Sequence, residues 1–374
     1  MFEAGPTQCR SSRPDESRNL ARQRVAPPST PRKKRAAAKG PPKNFLTPLD
    51  KWYVIRLKQI QEVSTIGIPM RTQLNPETEG EKWLEAGGGL PSAEALFADA
   101  LLASYRRAIE SVAAARTDIR AAAHRLAAIW RAGGRLVYLG AGSSGLAAAA
   151  DAAELPGTFG LDESHIAIIL AGGTAEPFRI DAAAEDGAAA GEQAMAAFGD
   201  LASDAVIAVS ASGSTPFTVA AAAEARRRGA FVIAIAHRPG SPLLSGADAP
   251  IFLESGEEAL RGSTRLAAGT AQKAALGMLS SLMGFELGHI HQGLMVNLKA
   301  DNAKLRDRAL GIVAMIAGVG EAKAEAALRE AGGEVKPAIL IARGVVSMSE
   351  AVAWLAATEG RIDDALRLSR AARR

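Results

Sequence analysis

From about residue 90 to residue 290, short and almost wholly apolar runs alternate with longer alanine-rich stretches of helical period. The apolar runs cover residues 135–139, 165–170, 205–209, 231–236 and 250–253, and the helical stretches between them cover 144–154, 178–198, 216–228 and 242–247. Strands that are apolar at every position are buried on both faces, and strands separated by helices pair in parallel. The pattern therefore predicts an α/β fold, a doubly wound, parallel five-stranded sheet flanked by helices. One helix over 93–132 precedes the sheet and a long one over 266–288 follows it. Beyond residue 297 only helical periods remain, over 300–319, 321–331, 336–343, 349–357 and 362–371. Gly, Pro or Ser separates them, which predicts a small all-helical C-terminal region.

Two of the predicted strand-to-helix junctions are rich in glycine and hydroxyls. The first is Gly140-Ala141-Gly142-Ser143-Ser144-Gly145, and the second is Ser210-Ala211-Ser212-Gly213-Ser214-Thr215-Pro216. Each gathers backbone N–H groups, hydroxyls and a helix N-terminus around one point, an arrangement suited to a phosphate dianion. The first loop also spells GxGxxG, which in a dinucleotide site is followed by an acidic residue at the end of the second strand. Here that strand ends in Ala171-Gly172-Gly173, and Glu176 lies past the required place. Two such loops in one sheet point to a sugar phosphate rather than a dinucleotide; two purely structural turns are the other reading.

Charge divides the chain unevenly. Residues 1–60 hold 14 Lys or Arg against 4 Asp or Glu, and the remainder holds 30 against 36. Residues 1–50 are rich in Pro, Ser and Arg without a hydrophobic period, and a disordered basic tail is expected over residues 1–65. Within it Arg32-Lys33-Lys34-Arg35 is a solvated cluster, and nucleic-acid binding is not expected. No helix-turn-helix pattern occurs in residues 1–90. The lone Cys9 fits a reducing cytoplasm, and no apolar run reaches the roughly 18 residues of a membrane span.

Two carboxylates follow strands of the predicted sheet. Glu154 ends the helix opened by the first loop, ahead of Leu155-Pro156-Gly157, and Glu185 lies in the helix after the second strand. Converging near the phosphate loops, they can divide acid and base work. Arg261-Gly262-Ser263-Thr264-Arg265 offers further donors for an anion. His289 and His291 lack companion ligands, so a packing role is expected and no metal is.

These residues resemble a known family. GAGSSG at 140–145, DAAELPGTFG at 151–160, AGG at 171–173 with AEDG at 184–187, SGSTP at 212–216, GSTRLAAGTAQK at 262–273 and GLMVNLKADNAKLRDRA at 293–309 are similar to motifs of the N-acetylmuramic acid 6-phosphate etherases, which are built on the sugar isomerase (SIS) domain. The resemblance begins at Asn75-Pro76-Glu77-Thr78-Glu79 and covers about 300 residues. It implies an SIS catalytic domain over 66–296, a helical domain over 297–374, and cofactor-free release of D-lactate from N-acetylmuramic acid 6-phosphate. It further implies a cytoplasmic homodimer with sites near the subunit interface. By motif, Glu185 is the base at C2, and Glu154 protonates the departing lactate. Gly142, Ser143, Ser144, Gly145, Ser210, Ser212, Gly213, Ser214, Thr215 and Ser263 surround the phosphorylated amino sugar. Glu154 is expected to be buried beside Leu155 and Phe159. The chain departs from the family's usual pattern at three cationic positions, now Leu146, Ser214 and Ala268, and has Asn297 where the family has Asp. The family's Cys-Pro-Pro is here Leu155-Pro156-Gly157. A non-catalytic sugar-phosphate sensor and a sugar-phosphate isomerase are the alternative activities on this fold.

Overall fold

The computed structural model describes residues 93–174 and 181–372. The expected basic tail, the segment 66–92 and Glu176 lie outside the described residues.

Five strands form the sheet: β1 (Leu136–Gly140), β2 (Ile166–Leu170), β3 (Ala205–Val209), β4 (Phe231–Ala236) and β5 (Ala249–Phe252). All pair in parallel, in the order β2-β1-β3-β4-β5. Alternate residues serve opposite faces. Leu136, Tyr138, Ile207, Ile233 and Ile251 pack with helices α1 (Ala93–Ala114), α2 (Arg116–Arg131), α3 (Gly142–Phe159) and, beyond the sheet, a long helix over Ala267–Glu286. On the other face Val137, Leu139, Val206, Ala208 and Val232 pack with α4 (Ala188–Ala196), α5 (Pro216–Arg227) and the short α6 (Pro242–Ser245). This two-sided burial is why the strands read as continuous apolar runs; each large side chain so buried contributes about 1.5–3 kcal/mol. The long helix, α7, lies across α1, α2 and α3.

Three elements differ from the sequence pattern. The stretch expected as one helix over 93–132 breaks at Ala115 into α1 and α2. Helix α3 begins at Gly142, inside the first loop, and runs on through Pro156 to Gly160, a left-handed C-cap. A proline inside a helix costs about 3 kcal/mol. Two buried anchors beyond Glu154 offset that cost: Leu155, and Phe159, whose ring lies against Gly284 of α7. The helix expected over 178–198 is instead a 3-10 turn, Ala182–Asp186, followed by α4. Asp181 caps that turn by accepting from the Ala183 N–H at 3.0 Å, so Glu185 sits on a turn rather than on an α-helix.

The C-terminal helices are α8 (Ala303–Ala317), α9 (Glu321–Glu330), α10 (Val335–Ala342), α11 (Met348–Ala357) and α12 (Ile362–Ala371). The first starts at Ala303 because the Asn302 side chain accepts from the Leu305 N–H at 2.9 Å. Before them a two-residue hairpin, β6 (Ile290–His291) and β7 (Leu294–Met295), turns at Gln292-Gly293, both with positive φ. These helices share a hydrophobic cluster running from Val296 to Leu366. The Asn297 amide donates to the Phe159 carbonyl at 2.7 Å and lies 3.5 Å from His289 Nδ1. A carboxylate at this position has no N–H to give that carbonyl, which accounts for an amide here.

Burial, and then the nearby Lys336 charge, pushes the His289 imidazole down to about 3. A histidine of ordinary pKa in the unfolded chain therefore binds its proton more readily there than in the fold. Its contribution to stability is fully present above about pH 6.5 and is lost as pH falls toward 3, at about 1.4 kcal/mol per unit. Thermal midpoints measured across this range should fall in the native protein, and the slope should be shallower in His289→Asn. An unchanged slope overturns this assignment.

Candidate active site

The strand order reverses between β1 and β3, so the crevice beyond their carboxyl ends is the switch point where α/β sheets take ligands. Both glycine-serine loops open there. Gly140 and Val209, the last residues of β1 and β3, are paired in register. From this point α3 and α5 leave on opposite faces of the sheet with their N-termini at the crevice.

In the first loop, backbone passes close to backbone. A Cβ on Gly145 would lie 2.9 Å from the Gly140 carbonyl carbon and 2.9 Å from Leu170 Cδ2. The first intrahelical bond is Gly145 N–H to Ala141 O, at 2.9 Å, leaving the N–H groups of the preceding turn for a ligand. Ser143 is half-buried and Ser144 buried in that turn. Leu146 follows, half-buried.

In the second loop, three hydroxyls form a triangle. Ser210 Oγ lies 2.9 Å from Thr215 Oγ1 and 3.5 Å from Ser212 Oγ, and Ser212 Oγ is 3.5 Å from Thr215 Oγ1. The Gly213 N–H donates to Ser210 Oγ at 3.1 Å, and the Ser214 N–H to Ser212 Oγ at 3.2 Å, which fix the loop's curl. The Ser214 side chain is exposed. Pro216 opens α5 at a position whose missing N–H costs nothing.

Beside this loop His237, at the end of β4, meets Ser255 Oγ through Nδ1 at 2.9 Å. Burial pushes its imidazole down to about 4, and its buried Nε2 has no partner among the described residues. Ser241 Oγ, likewise buried and without a partner among them, lies under Gly213. The scattered histidines of the sequence gave no sign of this.

The two glutamates occupy different ends of α3. Glu185, on its 3-10 turn, rests on Gly142: a Cβ there would sit 3.3 Å from Glu185 Cδ, and Gly142 has φ +54°. The first loop and this carboxylate therefore do come together. Glu154 does not join them within the chain. It is twelve residues further along α3, roughly 18 Å at helical rise. Nor is it sheltered as expected: its side chain is 67% exposed and pairs with Lys273 Nζ of α7 at 3.3 Å. Leu155 and Phe159 turn to the core instead, because the helix continues past Pro156.

One turn before Glu154, Asp151 is only 3% exposed. Tyr138 donates its O–H to Asp151 at 3.0 Å, and Ser280 donates at 3.2 Å, tying α3 to β1 and α7. Burial raises the Asp151 carboxyl above its ordinary value, and the two hydrogen bonds oppose that shift.

Ahead of α7, the helix N-terminus is engaged within the chain. Glu258 accepts from the Ala267 and Ala268 N–H groups at 2.8 and 3.0 Å, filling the helix N-terminus. Ser263 is half-buried in the preceding turn, where its N–H donates to Leu260 O at 3.0 Å. Ala268 itself is buried. Of the paired histidines, His289 faces Asn297 and His291 faces Asp363 at 3.8 Å. Among the described residues no group of His, Cys, Asp and Glu could hold a metal ion, and no helix is long and apolar enough to cross a membrane. A cleft of about 900 Å³ opens at the far end of the sheet, lined by Arg125, Ala202, Arg226, Phe231 and Asp248. Its charges are internally matched, Arg226 with Asp248 at 3.0 Å and Arg125 over the Phe231 ring, and it lies away from both loops.

Two glycine-serine loops that open helix N-termini at the switch point of this five-stranded parallel sheet define an SIS-type fold, and the model of the SIS domain family matches residues 100–237. An N-acetylmuramic acid 6-phosphate etherase of Deinococcus radiodurans is 40% identical over 271 residues, 71% of this chain and 89% of that protein. One from Serratia proteamaculans is 41% identical over 261 residues, 70% and 88% of the two chains. A phosphoheptose isomerase structure from Francisella tularensis has 16% identity, covering 57% of this chain and all of that one, with a TM-score of 0.37. The chain belongs to the N-acetylmuramic acid 6-phosphate etherase family.

The close approach at the first loop is testable apart from any ligand. Gly145→Ala should lower stability by about 1–3 kcal/mol through overpacking against Gly140 and Leu170. A denaturant midpoint equal to that of the native protein contradicts the packing described.

Proposed function

We propose that this protein cleaves the D-lactyl ether of N-acetylmuramic acid 6-phosphate, giving N-acetylglucosamine 6-phosphate and D-lactate. The observation that carries the reading is the 40% identity to an etherase across 89% of its length. The phosphate binds at the N-termini of α3 and α5 with the hydroxyls of Ser210, Ser212 and Thr215. Glu185 takes the C2 proton, acidified by the C1 aldehyde of the open-chain sugar. The C3–O bond breaks, its electron pair leaves on the ether oxygen, and Glu154 protonates that oxygen. Water then adds at C3 with Glu154 as base, and Glu185 returns its proton to C2. Neither an external redox partner nor a metal enters this balance.

The same reading makes the protein a cytoplasmic homodimer, with an SIS catalytic domain over 66–296 and a helical domain over 297–374. The separate hydrophobic cluster from Val296 to Leu366 supports that division, and the lone cysteine suits the compartment. The position of Glu154 supports the dimer. Atoms on adjacent sugar carbons cannot be served by two carboxylates separated by about 18 Å of helix. A two-fold axis beside α3, at the level of Ala148, sets two copies of the helix antiparallel and brings each Glu154 to the level of the partner's first loop. Outward-facing Ala149, Ala150, Ala153 and Gly157 allow close approach there, and Phe97, Leu102 and Ile109 leave an apolar face on α1.

Assay of D-lactate from N-acetylmuramic acid 6-phosphate tests the activity. Glu185→Gln should lose C2 solvent-deuterium exchange and lactate release, whereas Glu154→Gln should lose lactate release and keep C2 exchange, each release falling about 10²–10⁴-fold. Co-refolding the two inactive variants should restore activity in the mixed dimer, since one of its sites then holds both glutamates. Absence of restoration by a verified mixed dimer overturns the shared site.

A further inference from the structure

The acid role assigned to Glu154 conflicts with its surroundings. A group that protonates the departing oxygen must be free to meet it, yet Glu154 is exposed and paired with Lys273 at 3.3 Å. The pairing is built in by what lies beneath it. Asp151, one turn earlier on α3, is fixed to Ser280 on α7 and Tyr138 on β1, so the outer sides of the two helices hold Glu154 and Lys273 face to face.

We propose that Lys273 is the specificity residue for the lactyl carboxylate, and that it exchanges Glu154 for this carboxylate when substrate binds. The inference rests on the etherase reading above. The carboxylate is the group that sets this ether apart from other phosphorylated amino sugars, and it is borne by the fragment whose oxygen Glu154 must protonate. A cation within reach of Glu154 is therefore within reach of the carboxylate. The described phosphate loops offer hydroxyls and backbone N–H groups and hold no Lys or Arg, so little of the ligand's negative charge is met there by a cation. The exchange also orders the two steps. When Lys273 turns to the substrate, Glu154 is released from the ion pair and faces the ether oxygen, to which it gives its proton as the C3–O bond breaks. When D-lactate departs, Lys273 returns to Glu154, which then accepts the proton of the water that adds at C3. One cation thus serves substrate choice and the change of role.

The test is Lys273→Met, with Lys273→Gln as a second variant and Lys273→Arg as the conservative one. D-lactate and N-acetylglucosamine 6-phosphate are the probes, used as inhibitors of lactate release and, by calorimetry, as ligands. In the Met and Gln variants the KM for N-acetylmuramic acid 6-phosphate should rise about tenfold or more, and D-lactate binding should weaken by a similar factor. Binding of N-acetylglucosamine 6-phosphate and its C2 deuterium exchange should stay near native, and Lys273→Arg should recover most of the D-lactate affinity. Native D-lactate binding in the Met or Gln variant overturns the proposal. Equal weakening of both probes also overturns it, because Lys273 then supports the fold or the phosphate site. Failure of the native protein to release D-lactate is a separate result, read before any variant, and overturns the etherase reading together with this one.

Discussion

The contact between Gly140 and Gly145 governs the geometry of the site. The last residue of β1 and the first turn of α3 approach with no side chain between them, and Leu170 at the end of β2 closes over the same point. Because they do, α3 starts inside the glycine-serine loop instead of after it. The N–H groups of its first turn then face the crevice between β1 and β3, and Gly142 lies where the Glu185 carboxylate can rest. The second loop reaches the same crevice from the other face by different means, with a curl fixed by Ser210 and Ser212 accepting backbone N–H groups. One half of the anion site is thus made by backbone proximity and the other by hydroxyls.

Much of this was legible in the chain. The five strands, their parallel pairing and the two loops follow from apolar runs long enough to be buried on both faces and from glycine and serine at their ends. What could not be read rests on contacts between distant segments. Nothing local to Leu155-Pro156-Gly157 announces a continuing helix; it continues because Phe159 has Gly284 to lie on. Nothing near Ala267 shows that its N–H is taken, since the acceptor, Glu258, lies nine residues earlier across a loop. The motifs did contain Asp151 and Lys273, but a carboxylate becomes a buried tie only when Tyr138 and Ser280 are beside it. The expected shelter of Glu154 beside Leu155 and Phe159 fails for the same reason: the helix runs on past Pro156 and turns those two side chains to the core, leaving Glu154 67% exposed.

Charge is used sparingly around the crevice. The described site relies on neutral donors, namely hydroxyls and backbone N–H groups, and one helix N-terminus is occupied by the protein's own Glu258. Such neutral donors hold an anion through aligned dipoles and are less weakened by salt than exposed cations are. The polar joint with the helical region is likewise uncharged where Asn297 meets Phe159. The structure thus reserves an exposed ion pair, Glu154 with Lys273, for the stretch of α3 farthest from the phosphate loops.

Helix α3 is therefore a ruler as well as a scaffold. One end is fixed by Gly142 and Gly145 at the crevice, and the middle is fixed by Asp151 beneath Tyr138 and Ser280. Its residue count is consequently a coded distance. Adding a single residue between Ser144 and Ala150 advances everything beyond it by about 1.5 Å and turns it by about 100°. Asp151 is then carried out of its buried berth, and Glu154 is aimed away from Lys273. The length of this segment is therefore not free to vary in number.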